Sequence, residues 1–269
     1  MRRPLFNRRT EIKVTEATTQ NSTDRKAEGG VLELVKIIVQ ALLIALVVRT
    51  FLFQPFNIPS GSLIPTLLVG DYLFVSKYSY GYSKYSLPGS LPLFEGRVMA
   101  TEPKRGDIVV FKLPKDGKTD YIKRVIGLPG DRIQMIDARL YINGQEVTRE
   151  PLPPYHTLDA YGRPVDVPHY REILPNGVAH EIIQKDGDRG YWSNTPVYTV
   201  PPGHFFMMGD NRDNSQDSRV LSEVGYVPFQ NIEGRAEIIF FSIDENASAW
   251  KIWEWPQTVR WSRLFQRIK

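Results

Sequence analysis

The longest apolar run, Val31 to Phe53, reads VLELVKIIVQALLIALVVRTFLF, with an unbroken IIVQALLIALVV centre. As a helix it would extend roughly 34 Å at 1.5 Å per residue, enough to cross the hydrocarbon core of a bilayer. Glu33 and Lys36 lie near one end and Arg49 near the other, within reach of headgroups, and Gln40 is the one polar residue deep inside. The other reading of such a run is the buried core helix of a soluble protein. After Phe53 the pattern changes. Residues 71–77 (DYLFVSK), 107–113 (DIVVFKL), 121–127 (YIKRVIG) and 235–243 (RAEIIFFSI) are short and dense in β-branched and aromatic side chains, which predicts strands. Residues 139–147 (RLYINGQEV) place Asn143-Gly144 between apolar alternations, which predicts a hairpin. No second spanning run and no internal repeat follows.

Twenty glycines and 20 prolines punctuate the chain, as an antiparallel fold with many turns requires. The stretch 133–198 differs in character. It includes PLPPYHTLDAYGRPVDVPHY, rich in proline and poor in long apolar runs, and reads as an inserted lobe or long loops. Tyr78 to Glu102, with its Tyr, Gly, Ser and Pro, reads as an extended surface loop.

With 269 residues, 42% of them apolar, the chain is long enough for a packed core in one large or two small domains. The net charge of +4 is modest but uneven. Arg2, Arg3, Arg8, Arg9, Lys13, Arg25 and Lys26 precede the apolar run, and Lys251, Arg260, Arg263, Arg267 and Lys269 close the chain. Basic ends accompanied by aromatics and a spanning segment favour anionic lipid over nucleic acid, for which no recognition pattern appears. The basic N-terminal side orients the anchor with its N-terminus in the cytoplasm. No Ala-x-Ala pattern follows the run; Pro55 and Pro59 come instead, so the run reads as an uncleaved signal anchor. Residues 1–30 are polar, lack apolar periodicity and are expected to be a disordered tail. There is no cysteine, hence no disulfide, thiolate nucleophile or cysteine-ligated metal. His156, His169, His180 and His204 lack metal-ligand spacing and read as surface or loop histidines.

Three local patterns carry possible chemistry. IPSGSLIPTLLVGD, residues 58–71, puts Ser60 and Ser62 around Gly61 close behind the anchor. Such a triplet is commonly a simple turn, but Gly61 would also let a substrate approach the backbone closely. DYIKRVIGLPGD, residues 120–131, sets Lys123 in a strand-like segment. A lysine there is usually solvated. If desolvated, it loses its proton more readily and becomes able to act as a base toward a hydroxyl. Strand alternation sends Lys123 and Arg124 to opposite faces, so that one is buried while the other stays wet. GDNRDNSQDSR, residues 209–219, is a polar loop whose Asp and Arg residues are spaced to pair. Its Asp/Asn alternation is calcium-like, but the EF-hand template fails at its sixth and twelfth positions.

Together with KRGDIVVFKLP and VPFQNIEGRA, these segments resemble, in order, bacterial signal peptidase I (leader peptidase), a Ser/Lys endopeptidase family. The resemblance covers about sixty residues. It implies Ser62 as nucleophile and Lys123 as general base. It implies Ser60 as oxyanion donor beside the Ser62 N–H, and Ser215 as the hydroxyl that positions the lysine. Asp210, Arg212, Asp217 and Arg219 would hold the site together. Ile58, Pro59, Leu63 and Ile122 would line the pocket for the residue before the scissile bond. Leu63 stands where the family usually has methionine, a nearly volume-conserving change.

The expected fold is mainly β: a coiled antiparallel catalytic core spanning 54–269, an inserted β-rich lobe at about 133–198, and one N-terminal transmembrane helix at 31–53. The expected activity is removal of signal peptides from exported preproteins after small residues, Ala-x-Ala in type, with no metal or other cofactor. The expected setting is the bacterial inner membrane, single-pass, with the catalytic domain periplasmic, monomeric, in contact with the phospholipid bilayer and with no nucleic-acid partner. Two rivals are a membrane-anchored β scaffold without catalysis and a Ser/Lys self-cleaving repressor peptidase. The second lacks any DNA-binding module here.

Overall fold

The structure is a computed structural model that describes residues 20–90, 92–159, 161–245, 247 and 250–269, without the side chains of 20–29 and Pro88. Of the tail 1–30 expected to be disordered, residues 1–19 lie outside the described residues and 20–30 are helical. Helix α1 (Gln20–Phe51) begins ahead of the apolar run, through Arg25, Lys26, Ala27 and Glu28, all of which except Ala27 carry long flexible side chains suited to a helix. Its segment Gly30–Phe51 is long and apolar enough to cross a membrane. Leu32, Leu34, Ile37, Leu42, Leu43 and Ile44 are all exposed, so this is not the buried core helix of the alternative reading. Contacts divide the chain within α1, between Val47 and Val48, and the second unit runs to Lys269.

The helix ends because the chain extends before Pro55: the residue before a proline is disfavoured in helical conformation. Strand β1 (Phe53–Asn57) pairs with β2 (Asp71–Ser76). A short pair follows, β3 (Tyr82–Ser83) with β4 (Arg97–Val98), then the hairpin β5 (Ile108–Lys112) and β6 (Asp120–Gly127). β7 (Arg132–Ile136), β8 (Arg139–Ile142) and β9 (Gln145–Glu146) form consecutive antiparallel pairs. The turn between β8 and β9 has Asn143 at φ 56° and Gly144 at φ 79°. That double positive φ is what a tight two-residue hairpin demands, and Asn-Gly supplies it.

Beyond lie β10 (Thr148–Pro151), β11 (Tyr155–Leu158), β12 (Pro164–Val167), β13 (His169–Ile173) and β14 (Ala179–Ile183). β15 (Tyr198–Thr199), β16 (His204–Met208), β17 (Val227–Pro228) and β18 (Ile232–Ser242) complete the strands, and α2 (Trp255–Thr258) follows. The main sheet has the order β1-β2-β18-β5-β6-β16-β17, every pair antiparallel. β18 pairs with both β2 and β5 through register shifts, the bulges that coil a long strand. The fold is thus mainly β and antiparallel, as expected.

Residues 132–199 carry three smaller sheets, including β11–β12, a hairpin inside the proline-rich stretch. Ile133, Met135, Leu140 and Ile142 from this lobe share a core with Ile126, Phe206 and Met208 of the main sheet. The segment 78–102 is tied down more firmly than a surface loop. Tyr80, Ser83 and Ser86 are buried, and Arg97 donates to the carbonyls of Gly81 (2.8 Å) and Phe229 (2.9 Å) and to that of Ile232.

Candidate active site

Ser62 sits in a single 3-10 turn, Gly61–Leu63. Residues at the start of such a turn have N–H groups with no partner inside it. Ser60, just ahead, is extended (φ −134°, ψ 150°) and exposed, and its side chain makes no capping bond. The turn is pinned from the far end of the chain. Asn211 N–H donates to the Ser62 carbonyl at 3.1 Å, and Asn211 Nδ2 donates to the Gly61 carbonyl at 3.1 Å. A Cβ at Gly209 would stand 2.5 Å from the Ser62 carbonyl oxygen and 2.3 Å from Ser215 Oγ, so only glycine allows this approach.

Lys123 lies in the middle of β6, opposite Val109 of β5. Its Nζ is hydrogen bonded to Ser62 Oγ at 2.8 Å and donates to the Ile122 carbonyl at 3.0 Å. Ser62 is 6% exposed and Lys123 4%. Burial lowers the lysine from 10.5 to about 8; the Asp217 and Asp210 charges oppose that shift without cancelling it. Alternation does send Arg124 away from Lys123, but it is not left wet. Both are buried, because Arg124 finds its own counter-charge.

That counter-charge is Asp210, which receives Arg124 Nε and Nη2 at 2.8 Å each and the Thr66 hydroxyl at 2.6 Å. Burial alone would raise the Asp210 carboxyl; Arg124 reverses this and holds it far below the usual carboxylate range. Asp217 accepts from Arg219 Nε (2.9 Å) and Nη2 (2.8 Å) and from Gly209 N–H (3.0 Å). Burial pushes the Asp217 carboxyl upward too, and Arg219 brings it below its ordinary value. Arg212 pairs with Glu172 of β13 through both carboxylate oxygens, and its backbone carbonyl accepts from Arg219 Nη2 at 2.6 Å. His180, read from sequence as a surface or loop histidine, is instead buried on β14. It stands 3.3 Å from Asp210 and 3.4 Å from Glu172.

Ser215 is buried near Gly209, where its hydroxyl helps to lower the Asp217 carboxyl, and its Oγ makes no hydrogen bond to Lys123. Of the residues expected to line the pocket, Ile58 and Leu63 are packed in the core with Val110 and Ile239, Ile122 is half-buried against them, and Pro59 is exposed. Sequence reasoning missed Asn211, Gly209 and Arg124, although all three lie inside or beside segments it had singled out. It also missed Thr66, inside the 58–71 segment, and Glu172 and His180, for which no local signal exists.

A serine hydroxyl 2.8 Å from a buried lysine amine is the minimum equipment of a serine hydrolase that needs no histidine. A family model described as signal peptidase, peptidase S26, matches residues 31–241. The signal peptidase I of Rickettsia typhi is 43% identical over 247 residues, 84% of this chain and 89% of that relative. The signal peptidase I of Rickettsia prowazekii is 43% identical over 245 residues, with the same two coverages, and that of Rickettsia conorii is 42% identical. A crystal structure of a signal peptidase I from Enterococcus faecalis V583 is 27% identical, covers 50% of this chain and 97% of its own, and superposes with a TM-score of 0.31. The chain belongs to the signal peptidase family, peptidase S26, and is a hydrolase.

Proposed function

We propose that this chain is a membrane-anchored serine endopeptidase that removes N-terminal signal peptides from exported preproteins with Ser62 and Lys123. One observation carries the reading: the 2.8 Å contact between Ser62 Oγ and a buried Lys123 Nζ whose proton is held only up to about pH 8. Neutral Lys123 takes the Ser62 proton while Oγ attacks the scissile carbonyl. The oxyanion is met by the Ser62 N–H and the exposed Ser60 hydroxyl. The Lys123 ammonium then returns its proton to the leaving amine. In the second half, neutral Lys123 deprotonates water that attacks the acyl ester, and Ser62 recovers its proton. Ser215, buried beside Asp217 and not bonded to Lys123, would receive the amine as it turns toward substrate. Asp210, Arg212, Asp217 and Arg219 fix the loop around it.

Ile58, Pro59, Leu63 and Ile122 would form the shallow pocket for a small residue before the bond, which fits substrates of the Ala-x-Ala type. The exposed apolar side chains of α1 need a cover that water cannot supply, and a bilayer is one. With the basic residues ahead of it, α1 would place the N-terminus in the cytoplasm and the catalytic unit in the periplasm, at the inner membrane. Cleavage of a preprotein in detergent by the intact chain and by Ser62→Ala tests the proposal. A folded Ser62→Ala protein should leave the preprotein whole; cleavage at the unaltered rate would rule out Ser62 as nucleophile.

A further inference from the structure

A groove of about 540 Å³ opens beside the Ser62 turn. One wall is made by Gly61 and Ile64, which flank Ser62 and Leu63, together with Asn211 and Asn214. Asn211 is the residue whose N–H and side chain hold the carbonyls of Ser62 and Gly61. The β11–β12 hairpin also lines it, through Tyr155, Thr157, Val165 and Val167, with Leu158 toward its tip. Among the described residues this hairpin pairs only with itself. The volume is that of a binding cleft. None of Ile58, Pro59, Leu63 or Ile122 lines it. The groove, which Gly61 next to Ser62 lines, is thus distinct from the surface expected to seat the residue before the cut. An extended chain that seats that residue against one of them leads the following residues toward the other.

The groove also carries charge. Asp159, Asp186, Asp213 and Glu245 line it against Lys185. Asp159 is matched by Arg163 at 2.7 Å, and Asp213 accepts the Asp186 N–H at 2.8 Å. That leaves three carboxylates facing one ammonium, so the complementary occupant is positively charged. Peptide hydrolysis creates such a group: the leaving amine becomes an α-ammonium.

We propose that this groove receives the first residues after the scissile bond, and that its acidic rim favours positive charge there and disfavours negative charge. The proposal rests on the peptidase reading above. Its test uses two peptides identical up to the cut, carrying Lys or Glu within the first few positions after it. Their kcat/KM values are compared for the full chain in detergent at low and high salt. The Lys peptide should be preferred by about threefold or more, because each exposed charge pair contributes about 0.2–1 kcal/mol. The preference should shrink at high salt, where rim charges are screened. In the doubly substituted Asp186→Lys, Glu245→Lys protein it should vanish or reverse. Equal cleavage of the two peptides, a preference for Glu, or a preference untouched by the double substitution overturns the groove assignment and leaves the peptidase reading standing. Failure of the full chain to cut either peptide overturns both.

Discussion

Arg124 and Asp210 meet through two parallel hydrogen bonds of 2.8 Å, and neither side chain reaches solvent. The pair joins β6, which carries Lys123, to the loop that pins Ser62. Removing one partner leaves a buried charge without a counter-charge, which typically costs about 3–5 kcal/mol. Asp210→Asn should lose stability on that scale in urea unfolding and lose activity with it. A loss below about 1 kcal/mol would show that the pair is not a structural tie.

Activity should rise with pH through an apparent pKa near 8, because only neutral Lys123 accepts the Ser62 proton and burial holds its pKa at about 8. The pH profile of kcat/KM reads this directly. Lys123→Arg should be inactive, since a guanidinium stays protonated throughout. A fully active Arg variant would exclude lysine as the base.

The same burial makes Lys123 a stability cost at neutral pH. Its pKa is about 8 folded against 10.5 for the ordinary group, so below pH 8 both states carry the proton and the penalty is full. Between pH 8 and 10.5 the unfolded chain binds more protons than the native one, and stability rises with pH. At about 1.4 kcal/mol per unit, the penalty is up to about 3 kcal/mol. Lys123→Met should therefore be more stable than the natural chain at pH 7, with the gap closing toward pH 10. A gap in denaturant midpoint that does not change with pH would contradict the buried ammonium.

Ser60→Ala should fold normally, since Ser60 is exposed and caps nothing. Its hydroxyl acts on charge that develops only in the transition state, and one missing oxyanion donor costs about 100- to 1,000-fold in turnover. Steady-state kinetics should show the loss in kcat. A change confined to KM would move Ser60 out of the oxyanion site.

Strands β2, β5, β6 and β18 of the main sheet were legible because their β-branched density is local, and Asn143-Gly144 announced its own turn. The β11–β12 hairpin was hidden by the prolines around it: Pro164 starts a strand in a two-stranded sheet that has two free edges, where a missing N–H is tolerated. Arg97, which anchors the 78–102 segment, acts on carbonyls more than 130 positions away, and no local pattern encodes that. In the site, the Asp217–Arg219 pair is two residues apart and could be anticipated. The partners of Asp210 and Arg212 are not each other but Arg124 and Glu172, brought in by the sheet and by the lobe. His180 is buried for the same reason: its neighbours are carboxylates distant in sequence.

The second unit should itself bind lipid. Its C-terminal stretch docks by backbone on β18, where Ile239 N–H donates to the Gln266 carbonyl and Phe265 N–H to that of Ile239, and the Trp255 ring lies 5.1 Å from that of Phe241. Docking on the β-domain does not remove this stretch from contact with lipid. With the backbone fixed, Trp250 (90% exposed), Trp253 (72%), Trp261 and Phe265 still point into solvent, and basic residues lie among them. Large apolar side chains held out of a core mark an interaction surface, and tryptophan with basic residues suits the headgroup zone. Connection length agrees: nine residues from Phe53 to Ser62 reach at most roughly 30 Å when extended. A chain beginning at Val48 should float with anionic vesicles and need lipid or detergent for full cleavage of peptides. Replacing Trp250, Trp253 and Trp261 by serine should release it. If the unsubstituted Val48 chain stays wholly in the soluble fraction at low salt, the lipid contact is wrong, while the peptidase chemistry is untouched.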